Sequence, residues 1–347
     1  MTRARAPRFL VIRRDNIGDL VCTTPLIAAL RQHHPDAYIA ALVNTYNRDV
    51  LDHNPHLDAV YAYGKAKHRG QGASLLRTYA ERVRLLLELR GQRFDTAILA
   101  APGFQPRSLR LARWAGAKHI LGFTEGAARA ERSVDIAVPY GRPASRHEVE
   151  DVYRLLGPLG IEGAPGALVL APEAKLAATL RSSLESRLPA AGPVVGIHIS
   201  ARKPSQRWPL ERYAALMTAL RERHRARFVL LWAPGSERNP RHPGDDEKAR
   251  ALLALTKDQP VLAVPTVSLA ELIAALSVCD AVVCADGGAM HLAAALGKPI
   301  LCFFGDSSPT RWRPWGVRHE LLQAQSRVVA AISAEDAALA FAKLMAP

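Results

Sequence analysis

Residues Ala281–Gly305, AVVCADGGAMHLAAALGKPILCFFG, read as strand, turn, helix and strand in about 25 residues. The run Ala281–Cys284 is short, apolar and β-branched. Asp286 and two glycines break it, and an alanine-rich helical stretch starts near Ala289. Gly297, Lys298 and Pro299 stop that helix, and Ile300–Phe304 forms the next strand. Such a βα unit belongs to a mainly parallel sheet, because parallel neighbours need a crossover between them.

The same alternation extends outward. In the second half, strands are expected at Val194–Ile199, Phe228–Trp232 and Val261–Val264, with helices opening near Leu210, Asp246 and Ser268. In the first half, strands are expected at Phe9–Arg13, Tyr38–Val43, Ala59–Tyr63, Phe94–Ala100, His119–Phe123 and Val134–Val138. Thr24-Pro25 opens a helix with proline at its first position, and another helix runs from about Ser74 to Leu89. A stretch rich in glycine, proline and alanine, IEGAPGALVLAPEAK, separates the halves. We therefore expect an α/β protein of two doubly wound domains, 1–170 and 171–330, with a closing helical segment at 331–347.

At 347 residues each half can bury its own core. No apolar run is long enough to span a bilayer, and the first residues lack the apolar core of a secretory signal. Cys22, Cys279, Cys284 and Cys302 show no paired spacing, so neither a zinc cage nor a disulfide framework is expected. A soluble chain in a reducing compartment is the reading. Charge is the outlier: 46 Lys+Arg against 32 Asp+Glu give +14. Between Lys65 and Lys118 twelve basic residues face three acidic ones, which predicts attraction to a polyanion without naming it.

Ligands of doubly wound sheets bind beyond the carboxyl ends of the strands, so those loops, facing each other across a central cleft, should carry the function. The loop Arg14–Asp19 follows the first strand. Gly18 would permit a tight turn, and Asp19 is either a general base or a helix-start charge. The loop Ser200–Pro209 brings hydroxyls, amides and the cations Arg202, Lys203 and Arg207 to a helix start, a composition that suits a phosphate. In the loop after Cys284, Asp286 suits sugar hydroxyls and the amides of Gly287 and Gly288 suit an anion. His291 reads either as a packing residue or as part of the site. Phe304–Trp312 would share the same region. Asp245-Asp246-Glu247 reads as an acidic helix start rather than a metal site. Neither GxGxxG nor GxxxxGK[ST] occurs in these loops.

Taken together, VIRRDNIGDLVCTTPLIAALRQHHP, SARKPSQRWPLERYAALM and ADGGAMHLAAALGKPILCFFGDSSPTRWRPWG resemble glycosyltransferase family 9, the lipopolysaccharide heptosyltransferase family. HNPHLDAVYAYG adds to the likeness. The resemblance implies a GT-B fold of two Rossmann-like domains, acceptor on the first and nucleotide-sugar on the second, with the last helix returning to the first domain. It implies inverting transfer of heptose from ADP-heptose to the lipopolysaccharide inner core, with no metal or other cofactor. Asp19 matches the general base, with Arg14, Asn16 and Gly18 beside it on the acceptor side. Ser200 and Ala201 match donor-phosphate positions, with Lys203, Gln206 and Arg207 in the same loop. Asp286, Gly287, Gly288 and His291 match the donor loop.

Two positions depart from the family pattern. Gln206 stands where lysine is usual, leaving Arg202, Lys203 or Arg207 to replace it, and Gly287 stands where threonine is usual. Glu237 and Glu247 compete for the ribose. The implied partners are a nucleotide-sugar and a phosphorylated glycolipid. The implied setting is the cytoplasmic face of the inner membrane, where a basic first domain could dock on anionic lipid. A transferase using another nucleotide-sugar, for capsule or protein glycan, and a non-catalytic paralogue are the competing readings. Specific nucleic-acid binding lacks any motif to accompany the charge.

Overall fold

The structure, a computed structural model, describes residues 5–64, 75–126, 129–141, 146–189, 191–239 and 243–346. The chain divides into two compact units, Met1–Leu170 and Ala171–Pro347. The first contains β1 (Arg8–Ile12), β2 (Tyr38–Asn44), β3 (Ala59–Tyr63), β4 (Thr96–Leu99), β5 (His119–Thr124) and β6 (Ile136–Pro139). Its helices are α1 (Ile17–Val21), α2 (Thr24–His33), α3 (Leu75–Gly91), α4 (Pro106–Trp114) and α5 (Glu148–Tyr153). The sheet order is β3-β2-β1-β4-β5-β6, with each neighbouring pair parallel.

The second unit contains β7 (Val194–His198), β8 (Arg227–Trp232), β9 (Val261–Pro265), β10 (Ala281–Ala285), β11 (Ile300–Phe304) and β12 (His319–Gln323). Its helices are α6 (Ala174–Arg187), α7 (Leu210–His224), α8 (Asp246–Leu255), α9 (Leu269–Ser277), α10 (Gly288–Ala295), α11 (Pro309–Trp312) and α12 (Ala334–Met345). The order β12-β11-β10-β7-β8-β9 is again fully parallel. Counted from its own first strand, each sheet runs 3-2-1-4-5-6, the doubly wound order. Winding reverses between β1 and β4 in one unit and between β7 and β10 in the other, which is where such sheets open a binding crevice.

Central strands are apolar throughout because helices cover both faces. Phe9, Leu10, Val11 and Ile12 are all buried, and on one side Leu10 and Ile12 join Leu89 of α3 with Leu109 and Ala112 of α4. In the second unit Val195, Ile197, Phe228, Leu230, Val283 and Phe303 pack with Leu216 and Leu220 of α7. Helix starts follow their caps. The Ser268 hydroxyl accepts from the Glu271 amide at α9, and the Ser333 hydroxyl from the Asp336 amide at α12. Of the basic run, residues 65–74 lie outside the described residues.

The last helix, expected to turn back toward the first unit, lays its apolar face on the second. Phe341 and Leu344 of α12 are buried in the core of the second unit with Tyr213 and Leu216 of α7 and Phe303 of β11. Burying a side chain like Phe341 contributes about 1.5–3 kcal/mol, which fixes the helix on its own unit. Among the described residues no helix is long and apolar enough to cross a membrane.

Candidate functional site

Beyond β1 the chain carries Arg13 into the crevice position of the first sheet. Its guanidinium is only 1% exposed. Nη1 donates to the carbonyl of Ala100, just past β4, at 2.7 Å. Nη2 donates to Asp19 Oδ1 at 2.9 Å and to Glu148 Oε1, on the first turn of α5, at 2.8 Å. Nε lies 3.1 Å from Asp15 Oδ2. Burial works to lower the Arg13 pKa, but Glu148, Asp19 and Asp15 outweigh it, so the group is raised and stays charged.

Asp19 sits at the third position of α1, where Asn16 is the N-cap. Its Oδ2 accepts from both the backbone N–H and the Nδ2 amide of Asn16, each at 3.0 Å. Asp19 thus fills the helix-start role, completing a capping box, and it remains 15% exposed beside a buried cation. Gly18 differs from its expected part. It lies inside α1, buried, and is not among the glycines with positive φ, so no tight turn depends on it. Around the loop, the Arg14 Nε donates to the Tyr63 hydroxyl, the Asn44 amide to the Arg14 carbonyl, and the Tyr46 hydroxyl to the Asp15 carbonyl. The end of β2 and the turn after it therefore hold the loop's backbone, and β3 holds the Arg14 side chain, leaving Asn16 exposed.

In the second unit three loops meet. Gln206, buried in a short turn at Pro204–Gln206, donates from Nε2 to Asp286 Oδ2 at 3.1 Å. Lys203 Nζ spans both oxygens of Asp306 at 3.2 Å, and the Ser307 side chain also bonds Asp286. Burial pushes the Asp286 carboxyl up, against the Ser307 hydrogen bond and the Lys203 charge, while Asp306 adds to the rise. Ser200 Oγ accepts from the Ala233 amide at 2.9 Å, tying the loops after β7 and β8, and Arg207 Nε donates to the Ala201 carbonyl at 3.2 Å.

Gly287 is the N-cap of α10 with extended backbone (φ 164°), which any residue adopts. A Cβ built there would meet nothing within 4 Å. Gly288 opens α10, and its neighbour His291 is buried, edge-on to Trp312 with ring centroids 5.9 Å apart.

The acids after β8 are committed to local structure. Asp246 accepts from the Trp232 indole at 2.8 Å and from the Gly235 amide at 2.9 Å. Glu237 pairs with Lys248 at 2.6 Å, and Glu247 accepts from the Glu237 amide at 3.3 Å. Asp246 and Glu247 form the acidic first turn of α8, as expected.

The structure thus gathers Ser200, Ala201, Lys203, Gln206, Arg207, Asp286, Gly287, Gly288 and His291 on the carboxyl-end loops of the second sheet. Arg14, Asn16, Gly18 and Asp19 lie on the first. Sequence reading passed over Arg13 and Glu148, and gave Asp306 and Ser307 only as part of the Phe304–Trp312 loop. Only Asp306 and Ser307 had a signal, their position at a strand end next to the Asp286 loop.

A likeness to known proteins accompanies this geometry. The chain is 26% identical to lipopolysaccharide heptosyltransferase 3 of Escherichia coli K12 over 94% of its own length and 95% of the relative's. It superposes on the crystal structure of a family 9 glycosyltransferase from Veillonella parvula with a TM-score of 0.80, at 20% identity and 97% of each chain. The E. coli heptosyltransferase WaaC with ADP gives 0.76 at 18% identity, over 97% of this chain and 99% of that one. These superpositions identify the two-sheet architecture as the GT-B fold. Residues 82–339 match the family model described as glycosyltransferase family 9 (heptosyltransferase). With that span covering most of the chain, the protein belongs to glycosyltransferase family 9 and is a glycosyltransferase.

Proposed function

We propose that this enzyme transfers heptose from ADP-heptose to the inner core of lipopolysaccharide with inversion, and that Asp19 is the general base. The observation that carries the reading is the Asp19 carboxylate itself: partly exposed at the switch point of the first sheet, with Oδ1 engaged by a single donor among the described residues. The relative named lipopolysaccharide heptosyltransferase 3 and the superposition on WaaC with ADP support the acceptor and the donor nucleotide.

In this reading the acceptor hydroxyl gives its proton to Asp19 as its oxygen bonds to the anomeric carbon. The bond from that carbon to the diphosphate breaks, and ADP leaves with the electron pair. Lys203 and Arg207 and the amides at Gly288 receive the diphosphate charge, so the reaction proceeds without a metal. Asp286, whose neutral form is favoured by burial, orients sugar hydroxyls, with His291 packed behind it. Arg14, Asn16 and Gly18 form the acceptor side.

The enzyme acts at the cytoplasmic face of the inner membrane, on a phosphorylated glycolipid. Its docking surface is on α3 and α4. Val83 and Leu87, one helical turn apart, are exposed, as is Trp114, among exposed Arg84, Arg90, Arg107, Arg110 and Arg113. Arg90 lies against the turn at Gly116, which brings the ends of α3 and α4 side by side. A basic residue near an anionic surface contributes about 1 kcal/mol.

Calorimetric titration with ADP, UDP and GDP, without metal, tests the donor. Preference for ADP, weakened by Asp286→Ala, is the expected result. Preference for UDP or GDP would favour the second reading, a different nucleotide-sugar, to which Gln206 and Gly287 point. Binding of none of them would point to a non-catalytic paralogue.

A further inference from the structure

A buried arginine–carboxylate pair contributes little net stability compared with apolar groups of the same volume, so its presence calls for another explanation. Arg13 and Glu148 are each 1% exposed and 135 positions apart, yet they meet at 2.8 Å. Their neighbours show what the pair holds. Oδ2 of Asp19 is occupied twice, by the amide and side chain of Asn16, whereas among the described residues Oδ1 accepts only from Arg13 Nη2. A carboxylate oxygen has two lone pairs, so Oδ1 keeps one for an incoming hydroxyl.

We propose that Arg13, clamped by Glu148, is a positioning residue that presents Oδ1 of Asp19 to the acceptor hydroxyl, and that the carboxylates around Arg13 set the pH at which Asp19 takes the proton. This rests on the general-base reading of Asp19. When Asp19 is protonated its charge is lost, and a buried guanidinium left alone would be costly. Glu148 keeps Arg13 compensated through that step, so the proton can move without stranding a charge.

Among the described residues, the charged neighbours on the surrounding elements begin with Arg14 of the loop, which donates to the Tyr63 hydroxyl. Asp15 comes from the loop and Glu148 from α5. Asp151, also on α5, is engaged by Arg154 at 3.5 Å and Arg146 at 4.0 Å. On the 3-10 turn Thr45–Val50, which packs on α1, Arg48 is paired with Asp52 at 2.8 Å.

The test is kcat against pH for Glu148→Gln, Asp15→Asn, Arg13→Lys and Asp19→Asn, using the full chain with ADP-heptose and a lipid-linked core acceptor. Removing a negative charge in Glu148→Gln or Asp15→Asn favours ionised Asp19 and moves the acid limb down by roughly 0.5–1 pH unit. Arg13→Lys moves it up, because a lysine cannot reproduce the fork that reaches both carboxylates. Glu148→Gln and Arg13→Lys also lower kcat roughly 10–100-fold, with KM for donor unchanged.

Asp15 is 35% exposed, so Asp15→Asn keeps the fold and decides the matter if the buried variants fail to fold by circular dichroism. Lower kcat with an unmoved acid limb in the folded variants overturns the proposal and leaves Arg13 a purely structural ion pair. Near-normal turnover of Asp19→Asn overturns the general-base reading instead.

Discussion

The side-chain amide of Gln206 donates to the carboxylate of Asp286 at 3.1 Å, joining the loop after β7 to the loop after β10. A lysine at 206, which the family resemblance leads one to expect there, would make that contact an ion pair. Burial holds the Asp286 carboxyl above its ordinary range. Its ionisation therefore costs stability as pH rises through the folded-state value, and costs nothing below the unfolded-state value, where both states are protonated. Gln206→Lys should offset that cost: relative to the parent, the variant gains stability between pH 4 and pH 7. Urea midpoints of parent and variant at the two pH values measure the difference, and a variant whose change from pH 4 to pH 7 is no more favourable than the parent's would refute the pairing.

At Gly287 the backbone is extended and the space beside it open, so Gly287→Thr should fold without strain and cap α10 slightly better. If Gly287 lies in the donor site, the new hydroxyl adds a hydrogen bond to a charged diphosphate and tightens ADP binding about tenfold. Unchanged ADP affinity with intact folding would place the diphosphate elsewhere.

Asp19→Asn keeps the capping geometry but cannot accept a proton. Turnover should fall by roughly 10²–10⁴ while ADP affinity stays at the parent value. Single-turnover assays with saturating donor separate the two.

His198 ends β7, and burial pulls its pKa down to about 4, with Asp245 pulling the other way. The folded state thus binds fewer protons than the unfolded one between pH 6.5 and 4. The stability this neutral imidazole contributes is complete above about pH 6.5 and disappears as pH falls toward 4. His198→Gln should remove roughly 1–3 kcal/mol of the acid-side loss. Chemical denaturation at pH 7.5 and 4.5 reads it directly, and parallel losses in parent and variant would show that another group is responsible.

Charge reversal at Arg77, Arg82, Arg84 and Arg90 should abolish binding to vesicles containing anionic lipid at low salt, and leave ADP binding intact. The side chain of Arg77 lies outside the described residues. Replacing Leu87 with glutamine should weaken vesicle binding further at high salt, where only the apolar contact survives. Undiminished sedimentation with vesicles would put the dock on another surface.

Strand positions were legible because buried parallel strands are apolar runs bounded by polar breaks. Ala59–Tyr63 and Ile300–Phe304 fall where the pattern puts them. β12, HELLQ, was not legible: it is an edge strand of half-buried residues, with charge in the middle and no run to see. α4 hid for a similar reason, its arginines at 107, 110 and 113 masking the buried pair Leu109 and Ala112. The loops proposed for the donor could be found from strand ends and glycines. Arg13 could not, since a charge following a strand looks like solvent-facing punctuation. Its meaning comes from Glu148, which in sequence is one more acid at a helix start. Pairings across 135 positions leave no local trace.

Each sheet encloses its own core, and the family resemblance assigns ADP to the second unit alone. With two separate cores, one melting temperature need not describe the molecule. A nucleotide stabilises only the unit that binds it, by an amount that grows with the logarithm of its concentration. In calorimetric scans, ADP should move one transition upward and leave the other in place. Lipid-linked acceptor should do the reverse, so the melting curve becomes a map of which half of the enzyme holds which substrate.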